Sequence, residues 1–236
     1  MLRHLAPAGF LLLAACNSSI PLLERDSTAI LPEAVVEELR PGEGDYAPNL
    51  VYITGAAEAR RNDFDKLMLD PIIFYLPPQR TRSLRPDDRQ TLLNNFQVLM
   101  ARALEKDYLL ALEPQRGTVR VQFAVLPATT DPVAMDTVAM VAREDPNKQV
   151  VTDAITSPLT PGADLLVEAL WTDAVTGEVL GATVDRHFGQ ASFDGQALKS
   201  WGDVNRYLEG YAALIRYRLC SFRGRPDCTL PPAPLR

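Results

Sequence analysis

The chain predicts an α+β fold, a two-layer sandwich in which a mostly antiparallel sheet carries two main amphipathic helices. Three observations predict it. From about Pro86 to Lys106, residues Leu92, Leu93, Phe96, Leu99, Met100, Ala103 and Leu104 share one face at helical spacing, with Arg89, Gln90, Asn94, Gln97 and Glu105 on the other. A second stripe repeats the pattern with Trp201, Val204, Leu208, Tyr211, Ala212, Ile215 and Leu219. Between them, Ala163–Trp171 and Glu178–Arg186 alternate apolar and polar residues around Gly177, whose tolerance of positive φ suits a hairpin return.

At the start of the chain, residues 1–15 have the form of an export signal. Arg3 and the amino terminus supply positive charge, Leu5 to Leu13 an apolar core, and Ala14 and Ala15 the small residues before a cut. The stretch falls short of the roughly 20 apolar residues that span a bilayer. Leu13-Ala14-Ala15-Cys16 resembles the bacterial lipoprotein signature. That resemblance implies a diacylglycerol thioether on Cys16, cleavage before it and acylation of the new amino terminus. An ordinary signal followed by a chance cysteine is the competing reading. Each buried CH₂ contributes about 0.8 kcal/mol, so two or three chains on one cysteine hold the membrane durably. Residue 17 is Asn. Asp at that place resembles an inner-membrane retention mark, so Asn17 points to the periplasmic face of the outer membrane.

Residues 16–48 read as a lipidated tether, rich in Pro and Gly (Pro21, Pro32, Pro41, Pro48, Gly42, Gly44), with two possible helical turns over Pro32–Leu39. Residues 49–222 read as one α/β domain. Leu50–Ile53 is a strand, and Ala56–Asp63 is a polar break. Lys66–Leu76 is a longer strand with Pro71 inside; lacking an N–H, that proline marks an edge or a bulge. The first helix follows, then a short strand within Tyr108–Leu112. Thr118–Leu126 places Val119, Val121, Phe123 and Val125 on one face. Pro132, Pro146, Pro158 and Pro161 punctuate a long excursion over 128–161 with partial strand or helix. After the hairpin, Ser200 suits the N-cap of the last helix, with Asp203 in the capping-box position. Arg216 and Arg218 fall near its carboxyl end, where the dipole favours cations. Residues 223–236 form a Pro-containing tail.

Composition excludes several functions. Charged residues at 23% and hydrophobic ones at 47% are ordinary for a globular chain, and a net charge of −6 gives no electrostatic reason to expect nucleic acid. With Cys16 lipidated, Cys220 and Cys228 remain as an even pair. Export permits a disulfide between them across a short loop containing Gly224 and Pro226; two free thiols are the alternative.

His187 is the one histidine beyond the signal, and Asp185 shares its strand face. None of Ser157, Ser192 or Ser200 sits in a nucleophile elbow, however. A single histidine serves zinc and haem poorly. Asp63 with Asp65, and Glu37 with Glu38, lack calcium-loop spacing, and Gly42-Glu43-Gly44 lacks the rest of a phosphate loop. We therefore assign no catalytic residue, no cofactor and no metal site. The expectation is a non-catalytic envelope lipoprotein, held in the membrane through Cys16, that binds another envelope protein or a glycan. A periplasmic hydrolase using His187 or a carboxylate pair is the alternative.

Asp65-Lys66-Leu67-Met68-Leu69-Asp70-Pro71, Thr172-Asp173-Ala174-Val175-Thr176-Gly177-Glu178, Val184-Asp185-Arg186 and Trp201-Gly202-Asp203-Val204 together resemble the bacterial lipoprotein family called domain of unknown function 3313. The resemblance covers about residues 50–219. It implies a lipoprotein with an α/β architecture, and it carries no catalytic residue to transfer.

Overall fold

In the computed structural model, which describes residues 28–75, 86–127, 164–188 and 201–231, the alternation around Gly177 folds as the expected hairpin. The elements run α1 (Glu33–Glu38), β1 (Arg40–Pro41), β2 (Leu50–Ile53), α2 (Gly55–Ala59), β3 (Lys66–Leu69) and β4 (Ile73–Phe74). After these come α3 (Pro86–Leu104), β5 (Leu109–Leu110), β6 (Thr118–Pro127), β7 (Asp164–Asp173), β8 (Val179–Phe188) and α4 (Trp201–Phe222). Cys16 and the signal before it, the 128–161 excursion and the Ser200 cap lie outside the described residues.

The fold is α+β, built on one open sheet in the order β1-β2-β8-β7-β6-β3-β5, with β4 also paired to β6. The long ladders, β6–β7 and β7–β8, are antiparallel and pair nine residues each. Strands β3, β5 and β4 add three parallel pairings at one side. The turn between β7 and β8 is closed by Asp173, whose Oδ1 accepts from the amides of Val175 at 2.9 Å and Thr176 at 3.1 Å. Gly177 completes it at φ +73°. Arg60 donates to the other oxygen of Asp173 at 2.6 Å. Burial pushes the Asp173 carboxyl up, but Arg60 and the turn amides outweigh burial and hold it below its ordinary range.

Of the edge or bulge expected at Pro71, the structure shows a bulge. Between the pairs Leu69–Val121 and Ile73–Ala124 its strand advances four positions while β6 advances three. The amide of Ile72, turned out of the ladder there, donates to Gln97 Oε1 of α3 at 2.9 Å. A second bulge sits in β8, where Trp171 pairs with Gly181 and Thr172 with Val179. Leu180 is the extra residue. It joins the core beneath the helices, whereas Ala182 and Val184 pack on the opposite face. Gly181 is required here, because a Cβ would stand 2.7 Å from the carbonyl oxygen of Tyr52 on β2.

The two long helices cover one face of the sheet. Leu92, Phe96, Met100 and Leu104 of α3, and Val204, Leu208, Tyr211, Ala212 and Ile215 of α4, are buried as their spacing predicts. Tyr207 and Leu214 of α4 are buried as well. A helix wedged between a sheet and another helix buries a wider arc than a single stripe. Asn95 of α3 donates to Asn205 of α4 at 2.9 Å, and Arg216 of α4 reaches Asp107 just past α3 at 2.6 Å.

Two expectations are corrected. The polar break over Ala56–Asp63 begins within a short helix, α2, which Thr54 caps by accepting the Ala57 amide at 3.1 Å. The segment read as a tether is folded from residue 28 onward. Leu31, Val35 and Leu39 are buried against Leu170, Ala182 and Val184 on the sheet face away from the long helices.

Glu168 fixes that segment. It is fully buried on β7, and its Oε2 accepts the amides of Ala29 at 2.9 Å and Ile30 at 3.0 Å. Burial pushes its pKa up, and the backbone amides only partly offset this. The folded chain thus holds the Glu168 proton more tightly than the unfolded chain. This stabilisation is full below the ordinary value of 4.5 and is lost as pH rises through the raised folded value. Glu168→Gln keeps an acceptor for the two amides and removes the ionisation. The thermal midpoint of this variant should gain on the wild type as pH climbs from 4.5 upward. Parallel curves for the two proteins would show that Glu168 carries no such linkage.

Candidate functional site

A cavity of about 490 Å³ opens between the sheet and the carboxyl-terminal half of α4. Its floor is apolar: Phe64, Leu67, Val119, Trp171, Leu180 and Ile215 all line it. Several of these are core residues, and the bulge that turns Leu180 toward the helices contributes one of them. Val51 of β2 and Ala57 of α2 form one wall, and Tyr217 of α4 lies across from residues 43–48, which supply another.

The loop over 43–48 is pinned by one cation. Arg218 of α4 donates through Nε to the Tyr46 carbonyl. Its other nitrogens reach Asp185 of β8, Nη1 to Oδ2 at 2.7 Å and Nη2 to Oδ1 at 3.0 Å. Tyr211 donates to the same Oδ2 at 2.9 Å. Asp185 is only 3% exposed, so this carboxylate is satisfied by a bidentate guanidinium and a phenol in place of water. Burial, then the Asp185 charge, push the Tyr211 pKa well above its usual value, and its phenol stays neutral as a donor. The Tyr46 ring meets Tyr217 edge-on, with centroids 5.1 Å apart.

Two more guanidinium groups stand at the rim. Arg61 follows α2 and is exposed. Arg223 follows α4, its guanidinium carbon 5.4 Å above the Tyr108 ring. Burial pushes the Tyr108 pKa up, and Arg223 opposes that shift. Arg61 reaches the turn that follows Arg223: a Cβ on Gly224 would stand 4.0 Å from Arg61 Nη2. The Cys220–Cys228 disulfide, with Cα atoms 5.6 Å apart, closes the turn that carries Arg223.

The residues singled out from the sequence meet this site unevenly. Cys220 and Cys228 are joined and brace its rim. Cys16 lies outside the described residues. His187 lies on β8 opposite Leu165 in the ladder, and Asp185 is committed to Arg218 and Tyr211. Arg218 was placed near the helix end for its dipole; it serves instead as the partner of a buried aspartate 33 residues away. Sequence reasoning missed Tyr46, Arg61 and Tyr108 altogether, because no local spacing links them. Among the described residues no helix is long and apolar enough to cross a membrane.

The family model described as "Protein of unknown function (DUF3313)" matches residues 34–215. Its match begins inside α1, in the packed part of the amino-terminal segment. No curated protein matches the chain. Among solved structures, a PelC dodecamer variant from Paraburkholderia phytofirmans is similar at 12% identity, over 70% of this chain and 90% of that chain, with a TM-score of 0.31.

Proposed function

We propose, for a chain that belongs to the DUF3313 family of proteins of unknown function, a binding role at the bacterial envelope rather than a catalytic one. The observation that carries this reading is the cavity. At about 490 Å³ and mostly apolar, with a few polar groups at its edge, it has the size and character of a small-molecule site. The carboxylate nearest in kind to a catalytic one, Asp185, already spends both oxygens on Arg218 and Tyr211.

The anchor is proposed from the amino-terminal pattern. Cys16 carries the lipid after the signal 1–15 is removed, and Asn17 directs the protein to the outer membrane, facing the periplasm. The Cys220–Cys228 bond supports an oxidising compartment. Partitioning tests the anchor. Cys16→Ser should leave membranes after a carbonate wash, whereas the wild type stays with them. A variant that still sediments with membranes after signal removal would overturn the assignment.

A further inference from the structure

We infer that the cavity takes the acyl chain of a single-chain anionic amphiphile, with its head group held by Arg61 and Arg223. This deepens the binding role proposed above and rests on it. The cavity floor offers Phe64, Leu67, Val119 and Ile215, and nothing in that row rewards a polar ligand body. An apolar chain entering it gains by leaving water in proportion to its buried area.

The rim supplies the second half of the match. The Arg61 guanidinium makes no hydrogen bond or ion pair among the described residues; only its backbone amide is bonded, to the Glu58 carbonyl. Arg223 lies over the Tyr108 ring and makes no ion pair within 4 Å among the described residues; Asp65 interacts with it only at longer range. The Arg223 Nε is buried without a hydrogen-bond partner. The other arginines near this end are engaged: Arg60 with Asp173 and Glu178, Arg218 with Asp185. Two guanidinium groups lining an apolar cavity, neither in an ion pair within 4 Å among the described residues, are complementary to a phosphate or carboxylate on an alkyl chain. Glu43 and Asp45 also line the cavity, but both belong to the 43–48 loop. Arg61, past the end of α2, reaches Gly224, the residue after Arg223. The same asymmetry argues against a neutral diacylglycerol chain, including one carried by the protein itself, because it would leave both cations unanswered.

Calorimetric titration of the full chain with monolauroyl glycerophosphate, below its micelle concentration, tests this. One molecule should bind per chain, and neither dodecyl maltoside nor dodecyltrimethylammonium should bind comparably. The Arg61→Ala, Arg223→Ala double variant should bind at least tenfold more weakly, because it removes both charged hydrogen-bond donors to the head group. Val51→Trp, which fills the cavity, should abolish binding. If it fails to fold by circular dichroism, the arginine variant decides, because Arg61 is exposed and Arg223 lies in a surface turn. Equal binding of the neutral or cationic detergent, or affinity unchanged in the arginine variant, would overturn the proposed ligand. Absence of binding would remove the site and leave the Cys16 anchor standing. The ester should be recovered intact by mass spectrometry; binding with hydrolysis would keep the cavity as a ligand site but end the non-catalytic reading on which this inference rests.

Discussion

Asp185→Ala should destabilise the protein by about 3–5 kcal/mol, measured from the urea midpoint and slope. The cost comes from what the carboxylate leaves behind. Arg218 is largely buried, its side chain 16% exposed against 4% for Asp185, and without Asp185 its charge has no counter-ion. Tyr211 loses the acceptor of its hydroxyl in the centre of the core. The Arg218 bond to the Tyr46 carbonyl does not compensate, because a carbonyl dipole balances a guanidinium only partly. Substituting both partners gives the discriminating control. Asp185→Leu with Arg218→Leu removes both charges, and such replacements of buried pairs are often neutral in stability. The double variant should recover most of the loss yet release the 43–48 loop, raising proteolysis between Glu43 and Pro48. A cost below about 1 kcal/mol for Asp185→Ala would mean that the pair is solvated and that the loop is held by something else.

Local chemistry was the legible part of this fold. The hairpin announced itself through Gly177 and period-two alternation on both sides, and Pro71 announced an edge or a bulge because it has no amide to give. The stripes of α3 and α4 were legible because one buried face repeats every 3.6 residues. The packed segment before β2 was hidden by its composition. Pro32, Pro41, Gly42 and Gly44 read as a linker, although Leu31, Val35 and Leu39 stand at intervals of four and land on one surface. The attachment of that segment depends on Glu168, a charged residue inside a strand, whose partners are backbone amides 138 and 139 residues away. The cavity was equally invisible. It is assembled from β2, α2, the 43–48 loop, the β8 bulge and the end of α4, and only the sheet order β2-β8-β7-β6-β3 brings them together. Arg218 illustrates the limit well. Helix position explained its charge by the dipole, a contribution below about 1 kcal/mol at an exposed end, whereas breaking the buried pair it actually makes should cost several times as much.

Phe96→Ala should cost about 3–5 kcal/mol, the range for emptying a buried aromatic site. Phe96 is 1% exposed and stands where α3, α4 and the sheet meet. Its ring lies 6.0 Å from Phe123 on β6 and 5.8 Å from Tyr211 on α4, both tilted contacts. The substitution removes apolar burial, two aromatic contacts worth about 0.5–1.5 kcal/mol each beyond area, and the support beneath Tyr211. The last loss couples the core to the cavity, because Tyr211 donates to the Asp185 that orients Arg218. Neighbours collapse poorly into such a gap. The sheet strand is fixed by its ladder, and α4 is tied by Asn205 to Asn95 and by Arg216 to Asp107. Val98, two residues along α3 and 47% exposed, is the internal control: Val98→Ala should stay within about 0.5 kcal/mol of the wild type. Urea denaturation of the two variants separates these expectations. Were Phe96→Ala as mild as Val98→Ala, the helix α3 would not be packed on the sheet through Phe96.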